Sequence, residues 1–151
     1  MVKSKNSNVY ELMVIQDADN SSFRQIKING ESTLKDLAEF ILESFDFDND
    51  HLYLFNMDNN YYNGVNTYSL VPQEENPEDK SVEITLNELN LRRKQLFQFW
   101  YDFGDDWFFT IAVEKIEDYD DRYKKPVIIT SLGELSQYGE MDDEDWDEED
   151  F

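Results

Sequence analysis

Apolar and polar residues along this chain change places first with a period near two and then with a period near 3.6. From Asn8 to Gln16 (NVYELMVIQ) the alternation is partial, as in a strand with one well-buried face. A cluster of turn formers, Asp17 to Ser22 (DADNSS), ends that run. FRQIKI follows, with Phe23, Ile26 and Ile28 apolar, and Asn29-Gly30 supplies the next turn signal. The two runs predict a close antiparallel pair. In STLKDLAEFILESF the period then lengthens: Leu34, Leu37, Ala38, Ile41, Leu42 and Phe45 recur at helical spacing. Ser32 or Thr33 is predicted to cap the helix, and Thr33 stands three residues before Asp36, the spacing of a capping box.

After the turn FDFDND, the stretch His51 to Asp58 (HLYLFNMD) reads as a strand with Leu52 and Leu54 inward and Met57 or Phe55 as further inward positions. Residues 59–80 are polar and proline-bearing and predict an irregular excursion, of a length that is usually mobile or functional. Thr85 is placed to cap a short helical turn in LNELNL. Gln95 to Tyr101 and Trp107 to Ile116 predict two strands joined by DFGDD, where Gly104 is expected to supply a positive φ and the aspartates to bond the turn's own amides. KKPVIITSL offers one more strand, with Pro126 at its start where no ladder amide is needed. The order strand, strand, helix, strand, short helix, strand is that of a β-grasp. The predicted fold is therefore α+β: a mixed or antiparallel sheet packed on one main helix, related to the ubiquitin-like β-grasp, with extra antiparallel strands. Residues 1–139 are expected to make a single domain, and 140–151 a disordered tail.

Composition changes this picture in three ways. The 151 residues carry 35 Asp and Glu against 13 Lys and Arg, a formal charge of −22 that repels a phosphate backbone and disfavours direct nucleic-acid or anionic-lipid binding. The tail EMDDEDWDEEDF holds nine of those carboxylates, and removing it still leaves −13, so the folded body is acidic in its own right. Eleven Phe, nine Tyr and three Trp nevertheless provide a real core. Cysteine is absent, which removes disulfides, thiolate nucleophiles and cysteine-bound zinc together and fits a reducing cytosol. The N-terminal stretch lacks the apolar region of a signal peptide and no run is long enough to span a membrane, so the expected location is cytoplasmic.

The motifs exclude more than they assign. Asp102-Phe103-Gly104 spells the magnesium-binding tripeptide of protein kinases, but the glycine-rich loop, strand lysine and catalytic loop of that mechanism are missing. Asp46, Asp48 and Asp50 open like a calcium loop, yet its sixth and twelfth positions are His51 and Met57 instead of Gly and Glu. His51 is the only histidine, so a multi-histidine zinc site within one chain is ruled out and any acid-base or triad chemistry must use it. Its candidate partners are Asp102, Asp105 and Asp106. No phosphate-cradling or dinucleotide-binding glycine pattern occurs, and nothing in the motifs requires a cofactor or a metal. Leu91-Arg92-Arg93-Lys94 is the one dense positive island, able to hold an acidic partner or the chain's own tail but better explained as a solvated turn before a strand.

Three segments together resemble the plasmid pRiA-type ORF-three-like family, also labelled transposon-passenger TnpR-family proteins: FRQIKINGESTLKDLAEFILESFDFDNDHLYLF, YDFGDDW and FFTIAVEKI. The matching positions include Phe23, Arg24, Ile26, Thr33, Leu34, Leu37, His51, Leu52, Phe55 and the heptapeptide from Tyr101 to Trp107, the specific part of the match. Tyr53 stands where many members carry a second histidine, and Phe108-Phe109 replaces a polar pair that often follows the tryptophan. The resemblance implies an α+β fold related to the β-grasp and brings no activity with it.

The reading that follows is a non-enzymatic protein-interaction module for a protein partner, with a basic protein as the candidate. Its expected contact residues are Tyr101, Asp102, Asp105, Asp106 and Trp107 in the heptapeptide and Trp146 and Phe151 in the tail. Two alternatives from other classes stand beside it: a metal-dependent or acid-base hydrolase using His51 with the heptapeptide aspartates, and an acidic DNA-mimic inhibitor.

Overall fold

The computed structural model describes residues 8–18, 21–58, 66–135 and 137. Its frame is one eight-stranded sheet carrying an α-helix on one face. β1 (Asn8–Gln16) and β2 (Phe23–Asn29) form the antiparallel pair predicted from the alternating runs, with Leu12 opposite Ile26. The helix α1 (Leu34–Ser44) begins at Thr33. The Thr33 hydroxyl accepts from the Asp36 amide at 3.1 Å, and the Asp36 carboxylate accepts from the Thr33 amide at 2.9 Å, so the capping box is complete. Arg24 closes the other end: its Nε donates to the Ser44 carbonyl at 2.8 Å, and its guanidinium lies 4.0 Å over the Phe45 ring. Burial pulls the Arg24 pKa below its ordinary value.

β3 (Tyr53–Asn56), β6 (Leu96–Tyr101) and β7 (Trp107–Asp118) complete the centre, and β8 (Val127–Leu132) pairs with β2 at one edge. The other edge is built by β4 (Thr67–Ser69) and β5 (Asp79–Ser81), giving the order β5-β4-β3-β6-β7-β1-β2-β8. Among the described strands only β4 and β5 pair in parallel, and the other pairs are antiparallel. These two short strands fall within the stretch that the sequence predicts to be irregular. Their order comes from Asp79, whose Oδ1 accepts from the Thr67 and Ser69 hydroxyls at 2.9 and 2.6 Å, a tertiary contact that no local pattern announces. Before the 3-10 turn Asn87–Leu89, the Thr85 hydroxyl accepts from the Glu88 amide at 3.3 Å and Glu88 Oε1 accepts from the Thr85 amide at 3.0 Å, although the N-cap position itself is Leu86, which makes no side-chain cap bond.

The core lies between α1 and the sheet. Leu34, Leu37, Ala38, Ile41 and Leu42 face Leu12, Ile26, Phe55, Phe97, Phe99, Phe109 and Ile111, all essentially buried. The face of β3 differs from the expectation at Leu52 and Leu54, whereas Phe55 and Met57 are buried as expected. Tyr53 and Phe55 point into the core, while Leu52 is 49% exposed and Leu54 lies on the opposite face. Phe55 and Phe99 stack at 4.8 Å, and the bulk of the aromatic set wins the interior over the leucines. The expected disordered tail, 140–151, lies outside the described residues, as do Trp146 and Phe151. Among the described residues no helix is long and apolar enough to cross a membrane.

This packing sets two stability expectations. Phe109→Ala should cost about 3–5 kcal/mol in urea unfolding, since its fully buried ring touches Phe45, Phe47 and Phe99. Thr33→Ala should cost about 1 kcal/mol through loss of the cap.

Candidate functional site

The YDFGDDW heptapeptide sits at one end of the sheet, where β6 turns into β7. Tyr101 is fully buried; its hydroxyl donates to the Asp48 carbonyl and accepts from the Asp50 amide at 3.0 Å, which ties the connection after α1 to the sheet. Gln137 reaches the same connection, accepting from the Asp48 amide at 2.6 Å. The segment that carries His51 is therefore held against the heptapeptide by the ring and hydroxyl of Tyr101. The His51 ring meets the Tyr101 ring edge to face at 5.7 Å.

Of the candidate aspartates, the fold brings Asp102 to His51: Asp102 Oδ2 is 3.5 Å from His51 Nε2, and Asp50 Oδ1 is 3.2 Å from the same nitrogen. Asp102 is buried, and its other oxygen accepts from the Gly104 and Asp105 amides at 3.1 and 3.3 Å. Asp105 and Asp106 do not join His51 in any described ion pair. Asp106 instead accepts the indole N–H of Trp100 at 2.9 Å, and Asp105 stays exposed in the turn. Among the described residues no three His, Asp or Glu side chains come together in a way that would hold a metal ion.

The positive φ values of the turn fall at Asp102 (66°) and Asp106 (57°), not at Gly104 as the sequence suggested. Aspartate tolerates that region because its short side chain bonds locally, and Asp102 does so by accepting two amides of the turn. The signal was present in the residues flanking the glycine and was assigned to the glycine itself.

Trp107 turns inward and packs edge-on against Phe47 at 4.8 Å, with its indole nitrogen buried and unpartnered. Tyr53 is also buried, and burial raises its pKa. Arg92, Arg93 and Lys94 form the turn into β6, where the Lys94 amide donates to the Val113 carbonyl at 2.7 Å.

The sheet face away from α1 carries a second feature that sequence reading missed. A cleft of about 320 Å³ is walled by Leu52, Leu54, Val71, Trp100 and Phe103, with Asp79 on its wall. Leu52, Val71 and Phe103 are 49%, 64% and 42% exposed, so this is an open apolar surface. The available signal was Trp100 itself: between the inward Phe99 and Tyr101, strand alternation sends it outward.

Among the described residues these features define a protein built on an eight-stranded sheet with an α-helix on one face, with a buried carboxylate beside a partly exposed imidazole at one end and an aromatic cleft on the open face. The chain belongs to the plasmid pRiA4b ORF-3-like protein family, whose pattern it matches over residues 8–137. A search of the curated proteins returns no match. Among solved structures it is similar to a protein of unknown function, MM3350 from Methanosarcina mazei Go1. The TM-score is 0.67 at 21% identity, over 83% of this chain and 69% of that one, a likeness of fold.

The turn geometry separates two substitutions. Gly104→Ala should leave the melting temperature unchanged or slightly higher, because an added Cβ would meet only Asp102 Oδ1 at an ordinary 3.5 Å. Asp102→Ala should cost about 2–4 kcal/mol by stranding two turn amides and placing alanine at positive φ. Thermal and urea unfolding of both variants check this.

Proposed function

We propose that the chain is a non-enzymatic interaction module of the cytoplasm that holds a basic protein partner through the open sheet face beside the heptapeptide. The observation that carries this reading is the aromatic cleft: Phe103, Leu52 and Val71 stay exposed together beside the half-buried Trp100, on the sheet face away from the helix. A contiguous apolar surface rimmed by polar groups is the usual mark of a binding site. The net charge of −22 supplies the complementary field for a basic partner. In this reading Tyr101, Asp102 and Trp107 build the platform, and Asp105 and Asp106 contribute charge at its edge. A β-grasp ancestry fits the same proposal, with β7 as a strand inserted between β1 and β6.

A second reading is favoured by one distance, the 3.5 Å between His51 Nε2 and Asp102 Oδ2. A carboxylate that orients an imidazole is half of an acid-base apparatus. Here, however, two carboxylates address the same nitrogen, and Asp102 is already occupied by two turn amides, so the arrangement equally serves to hold the turn.

Affinity capture with the full chain at low salt should recover a basic protein, and the complex should dissociate as salt is raised. Phe103→Asp should abolish capture while leaving the fold intact, whereas His51→Gln should keep it. No protein recovered at low salt, or capture indifferent to Phe103, would sink this reading. A hydrolytic activity lost in His51→Gln would establish the second.

A further inference from the structure

The chemistry of the cleft is more selective than an apolar groove. Trp100 and Phe103 meet at 4.8 Å with their planes 67° apart, so two ring faces form a corner. Phe108 backs Trp100 at 5.3 Å, and the indole N–H is held by Asp106, which locks the corner's orientation. Such ring faces carry negative electrostatic potential. Asp79 is the only carboxylate on the wall, and no Lys, Arg or His lines the cleft among the described residues. The three bonds that hold Asp79 come from neutral donors: the Thr67 and Ser69 hydroxyls on Oδ1, and the Gln73 amide on Oδ2 at 2.9 Å. Its charge is fixed in place, and among the described residues no ion pair cancels it. The adjacent Lys80 is turned elsewhere, with Nζ 4.8 Å over the Tyr68 ring and donating to the Glu78 carbonyl.

A carboxylate beside an aromatic corner and aliphatic walls matches a group that is cationic at its tip and apolar along its stem. We propose that the cleft binds an alkylammonium group, supplied by a lysine side chain of the protein partner. The lysine stem lies along Leu52, Leu54 and Val71, and its ammonium rests against the Trp100 and Phe103 rings within the field of Asp79. An acidic side chain is excluded by Asp79. A neutral one loses the attraction of the ring faces. This inference rests on the interaction-module reading and names the group that the module takes.

The test is a titration of the full chain with Nα-acetyl-lysine methylamide, followed through the indole N–H resonance of Trp100, with the Nε-acetylated analogue as the neutral control. The expected result is saturable movement of that resonance in the ~10 mM range, about tenfold weaker for the neutral analogue. Phe103→Leu should lower the response several-fold. Asp79→Asn should do the same, and because it also touches the β4–β5 edge, Phe103→Leu serves as the independent variant. Equal responses to charged and neutral analogues, or none to either, would overturn the inference. A response to free n-butylammonium without one to the lysine derivative would overturn the assigned source. If the lysine derivative fails while salt-sensitive capture of a basic protein persists, the inference falls and the interaction module stands.

Discussion

Phe99 stacks on Phe55 at 4.8 Å and meets Phe109 at 5.7 Å, so three neighbouring strands are joined by one aromatic seam beneath the helix. That seam fixes the register of β3, β6 and β7, because a slip of one residue would turn every ring of a strand to the other side. Once Phe97, Phe99 and Tyr101 face the helix, Leu96, Gln98 and Trp100 must face away. The helix covers one face only. The open aromatic cleft is therefore a direct consequence of how the core was packed, and the outward-facing Trp100 is as determined as the buried Phe99.

The same seam explains the heptapeptide. Tyr101 and Trp107 end the two strands and point inward, so the five residues between them must reverse the chain within a short span. Asp102 and Asp106 take the two left-handed positions, and Asp102 pays for its conformation by accepting the turn amides. Its remaining oxygen then faces His51, which the Tyr101 hydroxyl has brought near through Asp48 and Asp50. The imidazole-carboxylate contact thus follows from the demands of the turn, without any substrate being needed to account for it.

How much of this was legible depended on how local its cause was. The β1–β2 pair, the helix with its Thr33 cap and the β6–β7 hairpin were readable because alternation, helical spacing and cap chemistry act within a few residues. The inward side of β3 was misread because Leu52, Tyr53, Leu54 and Phe55 are all apolar, and only the partners on β6 decide which pair is buried. Short β4 and β5 escaped notice because Asp79 organises them from ten or more residues away. The positive φ was placed on Gly104 by rule, although aspartates flanked it on both sides. Of the site, the meeting of His51 with Asp102 was anticipated as an alternative. The outer cleft was not, since it joins residues from β3, the 67–79 segment and the turn.

Under the proposed function, neighbouring positions on β6 serve opposite ends, Phe99 the stability of the sheet and Trp100 the binding of a partner. Phe99→Ala and Trp100→Ala should be compared side by side in urea unfolding and in capture of the basic partner. The expected outcome is a loss of about 3–5 kcal/mol for Phe99→Ala, and for Trp100→Ala a loss less than half as large accompanied by failed capture. Equal destabilisation by the two substitutions with capture undiminished in Trp100→Ala would contradict the account.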